Sequence, residues 1–276
     1  MGELRMVITD LDGTLLNDEK LVSPQDRDTL QMLGEMDVCR VIATGRSLYS
    51  LRKVVEEGFP VDYIIFSTGA GVLDWRTGEL LYAAHLKEKE VRFAIDTFIE
   101  AKMSFMVHDL VPENHRFLYY DANCGNSDFK NRCSIYSDFA YPLSLDPPNY
   151  KNASQLLAIV PEDPETLENI RNKLSGLRVI RATSPLDNCT MWIEVLPPEV
   201  SKGHTAKWLC NRLCIKRDNT LAVGNDYNDL DMLNFSAYSY VVGNAPGDLR
   251  GIYEVCTGNN NSGFTDAVKK IIIKTS

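Results

Sequence analysis

Apolar residues come in short continuous runs near the start and the end of the chain, with a more mixed pattern between. Residues 5–10, 38–45 and 62–71 read "RMVITD", "VCRVIATG" and "DYIIFSTGAG". Continuous apolar runs of this length suit strands of a parallel sheet, which is buried on both faces. Between the first two lies "SPQDRDTLQMLGEM". Ser23 there is a natural N-cap, Pro24 fits the first helical position, and Leu30 and Leu33 share a face. A second helix is expected from about 47 to 57. Strand, helix, strand, helix, strand implies βαβ units. The same grammar returns late in the chain. "MWIEVLP" reads as a strand, and "SKGHTAKWLCNRL" (201–213) as a helix capped by Ser201 with Trp208, Leu209 and Leu213 on one side. "NTLAVGND" and "YSYVVGNAP" read as strands flanking a helix or turn at "YNDLDMLNFS".

The middle is different. "DWRTGELLYAAHL" predicts a hairpin turning at Thr77-Gly78. "KEKEVRFAIDTFIEAK" sets Val91, Ile95, Phe98 and Ile99 at helical spacing. A polar and aromatic stretch from about 107 to 150 reads as irregular. "QLLAIVPED", "PETLENIRNKL" and "LRVIRAT" then give strand, helix and strand. The expected architecture is α/β: a Rossmann-like parallel-sheet core of residues 1–81 and 189–276, interrupted by an α+β insertion at 82–188. The joints are expected near 80–86 and 184–190.

Composition narrows the possible partners. The chain has 276 residues, 44% of them hydrophobic and 24% charged, which is ordinary globular composition. A formal net charge of −9 repels polyanions and anionic membranes. Within one cleft, a local cation can reverse that field for a small anionic substrate. The C-terminal "KKIIIKTS" is far too short to span a bilayer, and the opening residues lack a signal-peptide pattern. Seven cysteines include no C-x-x-C pair; Cys210 and Cys214 lie four apart on a predicted helix and are expected to pack as thiols. The expectation is a cytoplasmic protein acting on a small molecule, with no nucleic acid, membrane or obligate protein partner.

Four segments carry candidate chemistry. "DLDGT" sets Asp10 and Asp12 at a strand end, where side chains two apart point the same way. Their mutual repulsion fits either a solvated turn or a site built around a cation. Gly13 permits a tight turn there. "ATGRS" offers the Thr44 hydroxyl and the Gly45 amide to phosphate oxygens. "VSKGH" brings Lys202 to a helix start, and "GNDYNDLDML" gathers Asn225, Asp226, Asn228, Asp229 and Asp231 after a strand. Carboxylate and carbonyl oxygens of that kind suit Mg²⁺. Each segment alone has a bland reading as a cap or turn. All four together, each at a strand end or helix start, do not.

"DLDGT", "ATGR", "SKG" and "GNDYND" resemble, in order, the four motifs of the haloacid dehalogenase-like phosphohydrolases, and the insertion resembles the large type-2 cap of the Cof-type branch. The resemblance implies a Mg²⁺-dependent phosphatase in which Asp10 attacks phosphorus and Asp12 acts as acid and then base. Thr44 and Lys202 would hold the phosphoryl group, with Gly13, Gly45 and Asn228 beside it. The implied metal set is drawn from Asp10, the carbonyl of Asp12, and Asn225, Asp226 or Asp229. The family pattern reads G-D-x-x-N-D, whereas this chain reads Gly224-Asn225-Asp226-Tyr227-Asn228-Asp229. The implied ligand is therefore Asn225, with Asp226 able to replace it and Asp229 fixing Lys202 or a metal-bound water. Metal affinity is expected to be weaker for the missing charge.

In the insertion, His108, Asn114 and His115 are the expected contacts of the leaving group, since hydroxyl-bearing substrates need donors and acceptors. The implied substrate is a small phosphorylated metabolite, a sugar or polyol phosphate first. A phosphotransferase or mutase on the same scaffold, or a sensor that binds without turnover, are the rival readings.

Overall fold

The computed structural model describes residues 3–123, 125–184, 186 and 190–275. Up to the insertion the chain forms β1 (Met6–Thr9), α1 (Pro24–Glu35), β2 (Cys39–Ala43), α2 (Leu48–Leu51), β3 (Tyr63–Phe66), β4 (Gly71–Asp74) and β5 (Leu80–Ala83). The insertion holds α3 (Glu88–Glu100), β6 (Phe105–His108), β7 (Phe117–Tyr120), α4 (Ser127–Ile135), β8 (Ala140–Pro142), β9 (Gln155–Val160), α5 (Pro164–Lys173), β10 (Arg178–Thr183) and β11 (Met191–Leu196). The rest supplies α6 (Lys202–Arg212), β12 (Thr220–Gly224), α7 (Leu230–Phe235), β13 (Tyr238–Val242), α8 (Gly247–Ile252), β14 (Glu254–Cys256) and α9 (Gly263–Thr275).

Contacts divide the chain into two units: Met1–Arg46, Leu51–Tyr82 and Ser201–Ser276 in the first, and Ser47–Ser50 and Ala83–Val200 in the second. The first unit is built on a sheet ordered β14-β13-β12-β1-β2-β3-β4-β5. Its strands from β14 to β3 run parallel, and β4 turns back antiparallel on β3. Met6 and Ile8 of β1 pack on one face with Ala206 and Leu209 of α6 and Met232 of α7. Helices α1 and α9 pack together. Asp26, fully buried, accepts from Thr265 N at 3.0 Å and Thr265 Oγ1 at 2.7 Å, which ties the first helix to the last. Ser23 caps α1 through the amide of Asp26 at 3.0 Å, as its position before Pro24 predicts.

The second unit has a six-stranded sheet ordered β10-β11-β9-β6-β7-β8, antiparallel except between β7 and β8. This corrects the expected boundary at 188/189. "MWIEVLP" does not return to the core; it is β11, paired antiparallel with β9 and β10. The reason is burial on both faces. Ile193 and Val195 pack with Val91, Ile95 and Phe98 of α3, while Trp192 on the opposite face packs with Phe129 of α4. A strand covered on both sides reads as a continuous apolar run whichever way its neighbours run. The expected joint at 184–190 falls mostly outside the described residues.

Two more expectations change. The helix foreseen over 47–57 is only α2; beyond it the amides of Val54 and Val55 both donate to the Leu51 carbonyl at 2.9 Å, forming a closing turn. Residues 107–150 are not irregular throughout, since β6, β7, α4 and β8 lie wholly or partly in them.

In the first unit Asp62, just ahead of β3, is gripped by Arg40 of β2: Nε donates to Oδ2 and Nη2 to Oδ1, each at 2.9 Å. Burial would raise the Asp62 carboxyl, but the hydrogen bonds and charge of Arg40 outweigh it and hold it below its ordinary value. A carboxyl lowered in the folded state contributes stability above its unfolded pKa of about 4 and loses it as pH falls through the folded value. Asp62→Asn should therefore lower the unfolding midpoint at pH 7. Below about pH 4 the gap to the parent should shrink, as urea titrations at several pH values would show.

Candidate active site

β12, β1 and β2 are neighbours, and Thr9 at the end of β1 registers with Val223 and Ile42. The chain therefore leaves all three strands at the same edge, the carboxyl end, where open α/β sheets place their ligands. Asp10, Thr44 and Asn225 lie just past the three strand ends. Asp10 N donates to the Val223 carbonyl at 2.9 Å, and Asp10 as a whole is 5% exposed. Thr44, 1% exposed, is fixed by its own amide to the Ile65 carbonyl and receives the Arg46 amide on Oγ1 at 3.1 Å.

Ser201 caps α6 by accepting from His204 N, which sets Lys202 on the first turn. No side chain fits on the next residue: a Cβ on Gly203 would lie 2.2 Å from the Asp231 carbonyl oxygen. Glycine lets α6 approach the segment that carries Asp229. Lys202 Nζ then donates to Asp10 Oδ1 and Asp229 Oδ1, both at 2.7 Å, and to Asn228 Oδ1 at 3.3 Å. The other oxygen of Asp229 accepts the amides of Asn225 at 2.8 Å and Asp226 at 3.1 Å. Asp229 is thus committed to the lysine and the local backbone, in keeping with a part in fixing Lys202.

The electrostatics follow from one buried cation between two buried carboxylates. Burial pushes Asp10 up to about 7; Lys202 opposes this and Asp229 adds to it. Burial would lower Lys202, but Asp10 and Asp229 hold its pKa above the ordinary lysine value. Asp12 is different. Arg46 grips it with Nε on Oδ2 at 2.6 Å and Nη2 on Oδ1 at 2.7 Å, and Lys20 stands 3.6 Å away. Against the upward pull of burial, these cations hold Asp12 below its ordinary value.

Arg46, Lys20, Thr14 and Asn244 were not singled out from the sequence. Arg46 could have been found inside "ATGRS", as the only cation in a segment already assigned to the site. Asn244 bonds the Gly13 carbonyl from 231 residues away at 2.8 Å, and nothing local signals that. Gly13 has φ +73°, and a Cβ there would lie 2.6 Å from the Asn225 amide, so glycine is required twice over.

His108, Asn114 and His115 belong to the second unit. His108 Nδ1 lies 2.7 Å from the Asn114 carbonyl, its ring packs on Phe117, and Nε2 is buried with no hydrogen-bond partner among the described residues. Burial and the Arg132 charge push it down to about 3, so it is a neutral imidazole. Gln155, opposite His108 across β6 and β9, likewise buries an Oε1 with no partner among the described residues. His115 stacks on Tyr49 with ring centroids 4.6 Å apart.

The chain belongs to the haloacid dehalogenase-like hydrolases, whose family model matches residues 7–272. The YxeH protein of Bacillus subtilis, named a phosphatase only provisionally, is 25% identical over 98% of both chains. YcsE of the same organism, a 5-amino-6-(5-phospho-D-ribitylamino)uracil phosphatase, is 23% identical over 98% of this chain and 95% of its own. Among solved structures, the subclass IIB sugar phosphatase BT4131 shares the fold with a TM-score of 0.76 at 18% identity, covering 98% of this chain and 99% of its own. No helix among the described residues is long and apolar enough to cross a membrane.

The family implies a divalent cation, and the donors can be tested for it. Among the described residues no three His, Cys, Asp or Glu side chains converge as a metal site. The set at Asp10 is mixed instead: a carboxylate, a backbone carbonyl and an amide. The inward terminal atom of Asn225 lies 3.1 Å from Asp10 Oδ2 and 3.2 Å from the Asp12 carbonyl oxygen. Adjacent ligands of octahedral Mg²⁺, each about 2.1 Å from the ion, stand about 3 Å apart. The spacing and the oxygen chemistry both fit. Asp226 turns its amide to Asp229 and lies one residue further along the chain.

Lys202→Met would leave two buried carboxylates facing each other. Removing the cation of such a cluster costs about 3–5 kcal/mol. The deficit should be larger at pH 8 than at pH 5.5, where one carboxyl can take up a proton. Denaturant unfolding of both proteins at the two pH values measures it.

Proposed function

We propose that this chain is a Mg²⁺-dependent phosphatase of small phosphorylated metabolites, sugar or polyol phosphates first. The observation that carries the reading is the environment of Asp10. One carboxylate oxygen is held by Lys202, and the other faces the Asn225 amide, which also lies 3.2 Å from the Asp12 carbonyl. A carboxylate so placed is oriented as a nucleophile, and the ammonium beside it can offset phosphoryl charge. In the first step an Asp10 oxygen forms a bond to phosphorus as the bond to the leaving oxygen breaks, and that oxygen takes a proton from Asp12, which must first gain one from water because Arg46 and Lys20 favour its ionised form. In the second, water attacks phosphorus, its proton goes to Asp12, and the Asp10–phosphorus bond breaks to release phosphate. Thr44 would position the phosphoryl oxygens. Asp10, the Asp12 carbonyl and Asn225 would hold the Mg²⁺, which when bound screens the nucleophile from the substrate's negative charge.

Substrate class rests on two further supports. YcsE is named for a phosphorylated ribityl compound and BT4131 as a sugar phosphatase. The second unit buries His108 Nε2 and Gln155 Oε1, on residues paired across β6 and β9, without hydrogen-bond partners among the described residues, which suits a ligand rich in hydroxyls.

A Mg²⁺-dependent screen of phosphorylated sugars, polyols, nucleotides and cofactors, read as free phosphate, tests the proposal. Phosphate should appear with no acceptor added. Asp10→Asn should reduce kcat by at least about 10³-fold. Binding without turnover in the parent protein would favour a sensor, and phosphate transfer only to an added acceptor would favour a phosphotransferase. His108→Ala should change the rank order of kcat/KM across sugar phosphates more than it changes Asp10 chemistry on a simple aryl phosphate. An unchanged order would remove His108 from substrate recognition.

A further inference from the structure

The inward terminal atom of Asn225 is 3.1 Å from Asp10 Oδ2, 3.1 Å from Thr14 Oγ1 and 3.2 Å from the Asp12 carbonyl. An amide oxygen in that place would meet two oxygens that can only accept. The nitrogen donates to them, so hydrogen-bond chemistry puts the NH₂ inward. Those two acceptors are also the Mg²⁺ donors named above.

We infer that Asn225 is a two-position amide that exchanges with the cation. Without a divalent ion its NH₂ neutralises part of the charge facing Asp10; to ligate the ion, the amide must turn so that Oδ1 points inward. The usual aspartate could not take the first role, having no proton to donate. Asn225 thus stabilises the ion-free protein at the expense of cation affinity. Space limits the alternatives. The amide's other end lies 2.6 Å from where a Gly13 Cβ would stand, so it packs close on the Gly13 backbone. The backbone of Asn225 is also anchored, its amide donating to Asp229 Oδ2 at 2.8 Å.

The inference rests on the cation-assisted reading of the site, and its test needs no turnover. The parent, Asn225→Asp and Asn225→Ala are melted in EDTA and across a MgCl₂ series, and Mg²⁺ binding is measured calorimetrically. Asn225→Asp should melt below the parent in EDTA, respond more strongly to Mg²⁺, and bind the ion about tenfold or more tightly, since ligand charge count sets affinity. Asn225→Ala should melt below the parent in EDTA and bind Mg²⁺ more weakly than it. Equal melting of the parent and Asn225→Asp in EDTA, with equal Mg²⁺ affinity, would overturn the exchange. Should Asn225→Asp fail to fold, nitrogen-15 spectra of the parent decide. The side-chain NH₂ signal that is missing from Asn225→Ala should shift when MgCl₂ is added; a signal that stays fixed while the ion binds would overturn the idea. If these responses appear while no phosphate ester is hydrolysed, the substrate reading fails and the exchange stands.

Discussion

One ammonium group holds the site together. Lys202 Nζ reaches a carboxylate from the end of the first strand and another from the segment after β12, residues 192 and 27 positions away. Burying three charged groups at 1%, 5% and 0% exposure is costly unless each is paired, and here the pairing is shared. With both carboxyls ionised, the arrangement leaves one more negative charge than positive. That excess makes the cluster costly to bury, and burial accordingly pushes the Asp10 carboxyl up to about 7.

The geometry that permits this is backbone geometry. Parallel pairing of β12, β1 and β2 brings three chain exits to one edge. Gly203 lets α6 come close enough for its first residue to reach across, and Gly13 turns the chain beneath the Asn225 amide. None of these supporting features is itself chemical. Each fixes a main-chain position to within the few tenths of an ångström that a 2.7 Å hydrogen bond demands. Asn244 adds a second brace: it donates to the Gly13 carbonyl and accepts from Asn259 N, linking the loop after Asp10 to the segment after β14.

Much of the first unit could be read from the sequence because its signals are local. Ser23 before Pro24, Ser201 before a helix, and apolar runs ending in Asp10, Thr44 or Asn225 each show within a few residues. The errors came where local pattern is ambiguous. β11 is apolar on both faces, and periodicity cannot tell a central antiparallel strand from a parallel one; only its partners do. β6 and β7 were hidden because His108 and the Tyr119-Tyr120 pair interrupt their apolar character, though all four residues of β6 are buried. Arg46 on Asp12 and Asn244 on Gly13 depend on register between distant strands. The spacing of the motifs implied that the chemical groups meet, but not which oxygen faces which.

The order in which the site is assembled has a consequence for synthesis. Asp10 emerges from the ribosome early, whereas Lys202, Asn225 and Asp229 follow only after the inserted unit with its own apolar core. At translation rates of about 5–20 residues per second, the interval of 192 residues lasts roughly 10–40 s. Throughout it, β1 lacks β12 on one side and the aspartate lacks its ammonium. The insertion has an apolar core of its own, whereas the parallel sheet waits for β12 to pair the open side of β1. A nascent chain that has not yet reached β12 carries a central strand, β1, with one edge unpaired.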